Sequence, residues 1–243
     1  MIGSFLNVVI YRMPLERSVI TPRSSCPKCK TIIPWYQNIP VFSYLFLQGK
    51  CAYCNESFSP RYLFVELLTG ILFVVVTVLN FPISNFPIWI IQLALISAFI
   101  CHFFIDLEHH LLLDKINLFI LILALLNMYL SNGWFEGLLG ALIGFGFPLG
   151  ISFVFLKLRN QQGLGGGDIK FFGVLGLLLG PYGILLNIFL SSFIGSIVAG
   201  ISMMLGRFDR NRPFAFGPYI ILISVLQIFA PELMARLTSF LYS

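Results

Sequence analysis

Residues 87–131 read PIWIIQLALISAFICHFFIDLEHHLLLDKINLFILILALLNMYLS, and this stretch decides the fold. The runs 87–105 and 113–131 each extend about 28 Å as helix, enough to cross a hydrocarbon core of ~30 Å. Asp106, Glu108 and Asp114 cluster where one apolar run ends and the next begins. Outward from here the pattern repeats at 61–80, 134–157, 182–206 and 215–240, with a shorter run at 171–180 and an apolar stretch at 1–11. The whole chain agrees: 58% of its 243 residues are hydrophobic, 10% are charged, and the mean hydropathy is +0.92. A soluble domain averages about 25% charged residues, and a disordered chain is polar and highly charged. Both are excluded, as is an outer-membrane barrel, whose strands alternate at period two. The expectation is an all-α polytopic membrane protein with about seven to eight membrane segments.

Charge supplies the orientation. Counting those at the adjoining helix ends, 14 of the 15 Lys and Arg fall on one side if 12–60, 106–112, 158–170 and 207–214 lie together, and only Arg236 is left over. That arrangement requires 171–180 to cross, or to dip and return. The opposite connections, 80–86 and 131–134, carry no basic residue, so the basic side is expected to be cytoplasmic. The net charge of +5 follows loop boundaries rather than one basic face, which argues against nucleic-acid binding. Residues 1–11 lack the basic start and small-residue cleavage site of a signal peptide. They read as a half-span, or as a helix whose upstream residues are missing. The expected organisation is a first short or truncated helix at 1–11, a cytoplasmic insert at 12–60 and a membrane part at 61–243.

The insert holds four of the five cysteines. Cys26-Pro27-Lys28-Cys29 and Cys51-Ala52-Tyr53-Cys54 are two C-x-x-C knuckles with 21 residues between them. Each turn offers two thiolates, and two facing turns complete a tetrahedron around one zinc ion. Two disulfides are the alternative, but a reducing cytoplasm disfavours them. Iron is a substitute that an all-sulfur site also accepts. With every ligand position filled, the metal is expected to be structural. Arg23, Lys28, Lys30, Lys50 and Arg61 offset the charge of four thiolates. Cys101, alone in an apolar run, reads as a small buried hydrophobe.

Of the ten acidic residues, those at membrane depth are functional candidates by default. Asp106 ends one span, and Asp168 follows Gly165-Gly166-Gly167, where it reads as a helix N-cap. Glu66, five residues past Arg61, is placed to snorkel or pair. Glu16, Glu56 and Asp209 read as solvated loop charges. The glycine run is not a phosphate loop, because Asp168-Ile169-Lys170 follows instead of Gly-Lys-Ser/Thr. Three residues without side chains instead offer an extended peptide close approach beside Asp168. Two aspartates on separate helices, at one predicted depth, suggest an aspartyl pair.

These motifs together resemble the type IV prepilin leader peptidase family over nearly the whole chain. The carriers are Gly3 through Arg12, the tetracysteine segment with Asn38-Ile39-Pro40 and Ser43-Tyr44, and Arg61-Tyr62 with Val65-Glu66. Asp106 with its Leu-Glu-His continuation, Gly165-x-Gly167-Asp168 and Phe216-Gly217-Pro218 complete the series. The resemblance implies a GxGD-class membrane aspartyl endopeptidase that removes the short basic leader of prepilins or pseudopilins after a glycine, at the cytoplasmic face of the inner membrane. It maps the catalytic pair onto Asp106 and Asp168. It also implies that the new N-terminus is methylated from S-adenosylmethionine, as in many members. Many members have Leu-Pro-Asp where this chain has Leu112-Leu113-Asp114, and Asp114 stays outside the pair.

Two facing carboxylates in a low dielectric share one proton. One can then activate water while the other protonates the scissile carbonyl. Two rival readings follow from the same residues. A transporter would relay protons or bind a cation through these carboxylates, and would place charges in the span interiors and show an internal repeat. The runs 61–80, 87–105, 113–131 and 182–206 carry no charge in their middles. A zinc-bearing adaptor with a membrane anchor would need only one or two spans.

Overall fold

The computed structural model describes residues 1–26, 28–160, 163–206 and 215–239. Pro27 of the first knuckle and the loop 207–214, with Asp209 and three basic residues, lie outside the described residues. The described chain is helical, with two isolated β-bridges and no strand among those residues. It divides into two compact units, residues 1–83 and 84–243.

The first unit contains α1 (Ile2–Arg12), the insert with its short α2 (Phe42–Phe46), and α3 (Arg61–Leu79). Helices α1 and α3 touch at Gly3, where an added Cβ would lie 2.9 Å from Glu66 Cα. Asn7 Nδ2 donates across the same seam to the Tyr62 carbonyl at 3.1 Å. Each cysteine knuckle is closed by one antiparallel bridge, Ser25 to Ile32 and Lys50 to Ser57.

The second unit contains α4 (Phe86–His109), α5 (Asp114–Ser131), α6 (Trp134–Arg159), α7 (Gly166–Met204), α8 (Gly217–Phe229) and α9 (Pro231–Ser239). Asn85 caps α4 by accepting from the Ile88 N–H, and Pro87 sits in the first turn, where no amide bond is lost. His110, Asn132 and Asn160 end α4, α5 and α6 in the left-handed region that satisfies the last carbonyls. Helices α3 to α7 are long and apolar enough to cross a membrane, and α1 and α8 are shorter apolar helices. The outward surfaces are apolar too: Leu142, Phe153 and Leu158 of α6 are all exposed, as lipid-facing side chains are.

Helix α7 is two arms rather than one rod. Gly180 takes φ 68, ψ −177, and Pro181 follows. An added Cβ at Gly140 would meet both Gly176 and Gly180, and one at Gly144 would meet both Phe172 and Ile184. The first arm, 166–179, therefore runs antiparallel to α6, and the second, 181–204, runs alongside it in the same direction. The chain reverses at Gly180. With both arms counted, the described residues contain eight apolar helical segments, and the fold is the polytopic helical one expected from the sequence.

Two boundaries differ from the sequence reading. The apolar run 215–240 breaks at Ala230 (φ −135, ψ 57), because Pro231 disfavours helix in the residue before it. The short run 171–180 begins earlier, since Gly166 and Gly167 enter the helix instead of preceding it.

The α6–α7 seam rests on glycine. A Cβ on Gly140 would lie 2.2 Å from the Gly176 carbonyl oxygen, whereas one on Gly146 meets nothing within 4 Å. Gly140→Leu is expected to cost about 3 kcal/mol or more through overpacking. Gly146→Ala should leave stability unchanged or raise it by up to about 1 kcal/mol. Thermal unfolding of both variants in detergent is the check, and equal midpoints would remove the seam from the account.

Candidate active site

One end of the second unit gathers the end of α4 and the starts of α5, α7 and α8. Asp106, in the last turn of α4, is 4% exposed instead of facing water. Its Oδ2 accepts from the Gly217 N–H at 2.9 Å. That amide starts α8, where backbone donors lack helical partners. Glycine is required there, because a Cβ at 217 would lie 2.7 Å from Asp106 Oδ2.

Asp168 is not the N-cap that the sequence suggested. Gly165 occupies that place (φ −63, ψ 139), and Asp168 stands three residues inside α7. From there its carboxylate accepts from the Gly165 N–H, in the manner of a capping box. It is half-buried, and near enough to Asp106 for the two charges to act on one another. The structure thus brings both sequence-predicted aspartates to one place.

The glycine run differs from the extended cradle expected of it. Only Gly165 is extended; Gly166 and Gly167 form the first turn of α7. A Cβ on Gly165 would lie 2.8 Å from Asp168 Oδ2, and one on Gly167 would press on Leu112 at 3.2 Å. At Gly166 the space is open, with no atom within 4 Å. Gly165 and Gly167 make room for neighbours, and the open side lies at Gly166.

Asp114 starts α5 and accepts from Lys170 Nζ at 2.9 Å with both oxygens. Both side chains are more than half exposed, so this pair contributes at most about 1 kcal/mol. Sequence reasoning missed His102. It is fully buried one helical turn before Asp106, with Nε2 3.1 Å from Asn117 Oδ1 of α5 and its ring 5.2 Å from that of Phe171 of α7. The signal was a polar residue inside an apolar span, four places from an acid on the same helix face.

In the first unit, one sulfur atom from each of Cys26, Cys29, Cys51 and Cys54 lies within 4.8 Å of the others. Cys26 Sγ is 3.7 Å from Cys54 Sγ, and Cys29 Sγ is 4.0 Å from Cys51 Sγ. Zinc–sulfur bonds of ~2.3 Å give a tetrahedron with edges of about 3.8 Å, so the donor set fits one such ion. Hydrogen bonds from the Thr31 hydroxyl and amide lower the Cys29 thiol to about 6, and the Tyr53 and Cys54 amides lower Cys51. The Glu56 amide favours the Cys54 thiolate, but burial and the neighbouring sulfurs push that thiol up to about 11. Lys28 is not free to offset the sulfurs alone, because it pairs with Glu56. Cys101 is buried in α4, as a small hydrophobe should be.

Comparison with known proteins divides at the same place as the fold. The family model for the bacterial peptidase A24 N-terminal domain matches residues 1–80, and that for the type IV leader peptidase family matches 93–200. Three relatives carry the name prepilin leader peptidase/N-methyltransferase. The protein of Neisseria gonorrhoeae is 38% identical over 247 residues, covering 90% of this chain and 83% of its own. That of Aeromonas salmonicida (strain A449) is 34% identical over 251 residues, covering 90% and 84%. That of Bacillus subtilis (strain 168) is 33% identical over 228 residues, covering 93% and 88%. No solved structure matches the chain. Nothing in these likenesses favours a transporter. Matched through both units, and by relatives along most of its length, this multi-pass membrane chain belongs to the type IV leader peptidase family.

Proposed function

We propose that this peptidase cuts the short basic leader from type IV prepilins or pseudopilins, after a glycine, with Asp106 and Asp168 as the catalytic pair. The observation that carries the reading is the meeting of these two carboxylates at one end of the peptidase unit. They share one proton. The ionised member takes a proton from a bound water, and the water oxygen attacks the scissile carbonyl carbon while the neutral member protonates the carbonyl oxygen. The tetrahedral intermediate then collapses: the C–N bond breaks, the departing amine takes the water-derived proton from the first aspartate, and a hydroxyl of the intermediate returns its proton to the second, which restores the shared proton. The Gly217 and Gly165 amides hold the two carboxylates in place. The open flank of Gly166 gives an extended leader backbone access beside Asp168, with Gly165 and Gly167 keeping their neighbours clear.

The basic loops and the thiol-rich insert support a cytoplasmic active-site face in the cell (inner) membrane. The partners are then the leader and N-terminal helix of the substrate, together with membrane lipid, and no nucleic acid. Cys26, Cys29, Cys51 and Cys54 hold one structural zinc ion. As the relatives' name supports, the protein also N-methylates the new N-terminus. S-Adenosylmethionine supplies the methyl group when bound.

Asp106→Asn and Asp168→Asn should each abolish cleavage of a prepilin while the protein stays folded in the membrane. Because the pair acts as a unit, the double variant should be no worse than either single one. Asp114→Asn loses only an exposed ion pair and should keep substantial activity. Single aspartate variants that cut at near wild-type rate would end the protease reading. Gly217→Ala should lower the cleavage rate at least tenfold, since its methyl group displaces the Asp106 carboxylate; an unchanged rate in a purified-enzyme assay would show that this amide contact is dispensable.

Metal analysis of the purified protein should give about one zinc per chain. Cys26→Ser should lower both metal content and yield, because metal binding supplies folding energy to a small insert. Freshly prepared protein without metal, or with its cysteines in disulfides, would refute the assignment.

A further inference from the structure

Part of the insert is inside out for a segment in water. Helix α2 turns Ser43 and Tyr44 inward, where Ser43 Oγ accepts from the Ile39 N–H at 3.0 Å and Tyr44 donates to the Phe58 carbonyl at 3.4 Å. Its outward stripe is Phe42, Leu45 and Phe46, at i, i+3 and i+4. The short 3-10 turn Trp35–Asn38 is tied to this helix, because Ser43 Oγ also donates to the Tyr36 carbonyl at 3.2 Å. Trp35, Tyr36, Phe42, Leu45 and Phe46 are each more than half exposed. So many large apolar side chains on one short hairpin mark a surface that something covers.

The hairpin is fastened at the level where a membrane helix begins. Val41, just ahead of α2, donates its N–H to Glu66 Oε2 at 2.8 Å. Glu66 lies five residues past Arg61, about 7.5 Å along α3, whose 19 residues just reach across a ~30 Å core. Val41 itself takes φ 64, ψ −54, and the Phe42 N–H bonds to the Pro40 carbonyl at 2.7 Å. This is the strained form of γ-turn, rare for a β-branched residue, and it persists only where its surroundings hold it. What it fixes is the direction of α2. Charge adds to this: residues 12–60 hold six Lys and Arg against two Glu, and Arg17, Arg23, Lys30 and Lys50 are exposed.

We propose that residues 35–46 are an interfacial anchor. Trp35, Tyr36, Phe42, Leu45 and Phe46 dip into the headgroup–acyl boundary of the bilayer at which α3 begins, and the insert's cations meet anionic headgroups. Trp and Tyr are the side chains favoured at that depth, being apolar with one polar edge. An apolar face of this kind sinks about 5–10 Å into the boundary. The anchor fastens the middle of the insert, whose two ends continue into the apolar helices α1 and α3. It stands independently of the cleavage and methylation proposed above.

Tryptophan quenching in the full-length protein tests this. Trp89→Phe with Trp134→Phe leaves Trp35 as the one tryptophan of the chain. In nanodiscs containing phosphatidylglycerol, lipids brominated near the headgroup should quench Trp35 at least about twofold more than lipids brominated near the bilayer centre. Aqueous acrylamide should quench it little. Adding Phe42→Ser and Phe46→Ser should raise acrylamide quenching at least about twofold, with an unchanged unfolding midpoint in detergent reporting that the variant is folded. The reporter with its stripe intact decides the matter even where that variant unfolds. Trp35 open to acrylamide and untouched by brominated lipid would overturn the proposal. Protection from both quenchers would overturn it as well, by giving the stripe to a protein surface such as a second copy of the chain.

Discussion

The contact on which the second unit depends is the near touch of two backbones, Gly140 in α6 and Gly176 in α7. Lipid tails are as apolar as the side chains they meet, so membrane helices associate by close packing rather than by hydrophobic burial. Small residues permit that approach, and α6 presents Gly137, Gly140 and Gly144 as its buried positions, joined by Pro148. This strip receives both arms of α7, which lets the chain turn back at Gly180. The returning arm then clamps α8. Asn187 Nδ2 donates to Ser224 Oγ at 3.0 Å and to Gln227 Oε1 at 2.8 Å, while Gln227 donates to the Gly183 carbonyl at 2.8 Å. In hydrocarbon such polar groups have no water to return to, so the clamp fixes where α8 begins. It begins beside Asp106.

The two aspartates are held by one device used twice. Each carboxylate accepts from the amide of a glycine at the start of a helix, Gly217 for Asp106 and Gly165 for Asp168. At both places a Cβ would collide with the carboxylate it serves, at 2.7 and 2.8 Å. Helix starts carry partial positive charge and free N–H groups, so they compensate a carboxylate near the membrane. A fixed cation at the site would stabilise the doubly ionised pair and remove the proton that the proposed mechanism requires. The cation nearest in sequence, Lys170, is engaged by Asp114 instead.

The fold was legible because an apolar run of 19 residues has few outcomes, and the cysteine knuckles because their spacing is itself the geometry. Asp106 and Asp168 were legible as rare acids at span ends. What hid was carried by backbone. The amide of Gly217 has no letter in the sequence, so Phe216-Gly217-Pro218 read as a motif without a role. Gly166 and Gly167 read as an approach for an extended peptide ahead of the helix, yet they form the first turn of α7, where Gly167 packs against Leu112. The break at Ala230 was announced by Pro231 but masked by the apolar residues around it. His102 was hidden because its partner, Asn117, stands 15 residues away on the next helix, and nothing in the sequence pairs the two.

The insert poses the opposite problem. Among its described residues Ile20, Trp35 and Phe46 are strongly exposed, and few apolar side chains are buried besides Cys26 and Cys51. A segment with so little core does not hold its shape by burial. Its order comes instead from two matching turns: Cys26 N–H bonds to the Thr31 carbonyl and Lys30 N–H to Cys26, as Cys51 N–H bonds to Glu56 and Asn55 N–H to Cys51. The four sulfurs tie these turns together. Lys30 directly follows Cys29, and Lys50 directly precedes Cys51, so these two cations stand on the same turns as the four cysteines. A zinc ion with every coordination position filled takes no part in bond making. Held by all four sulfurs, such an ion would instead fix how the two turns face one another.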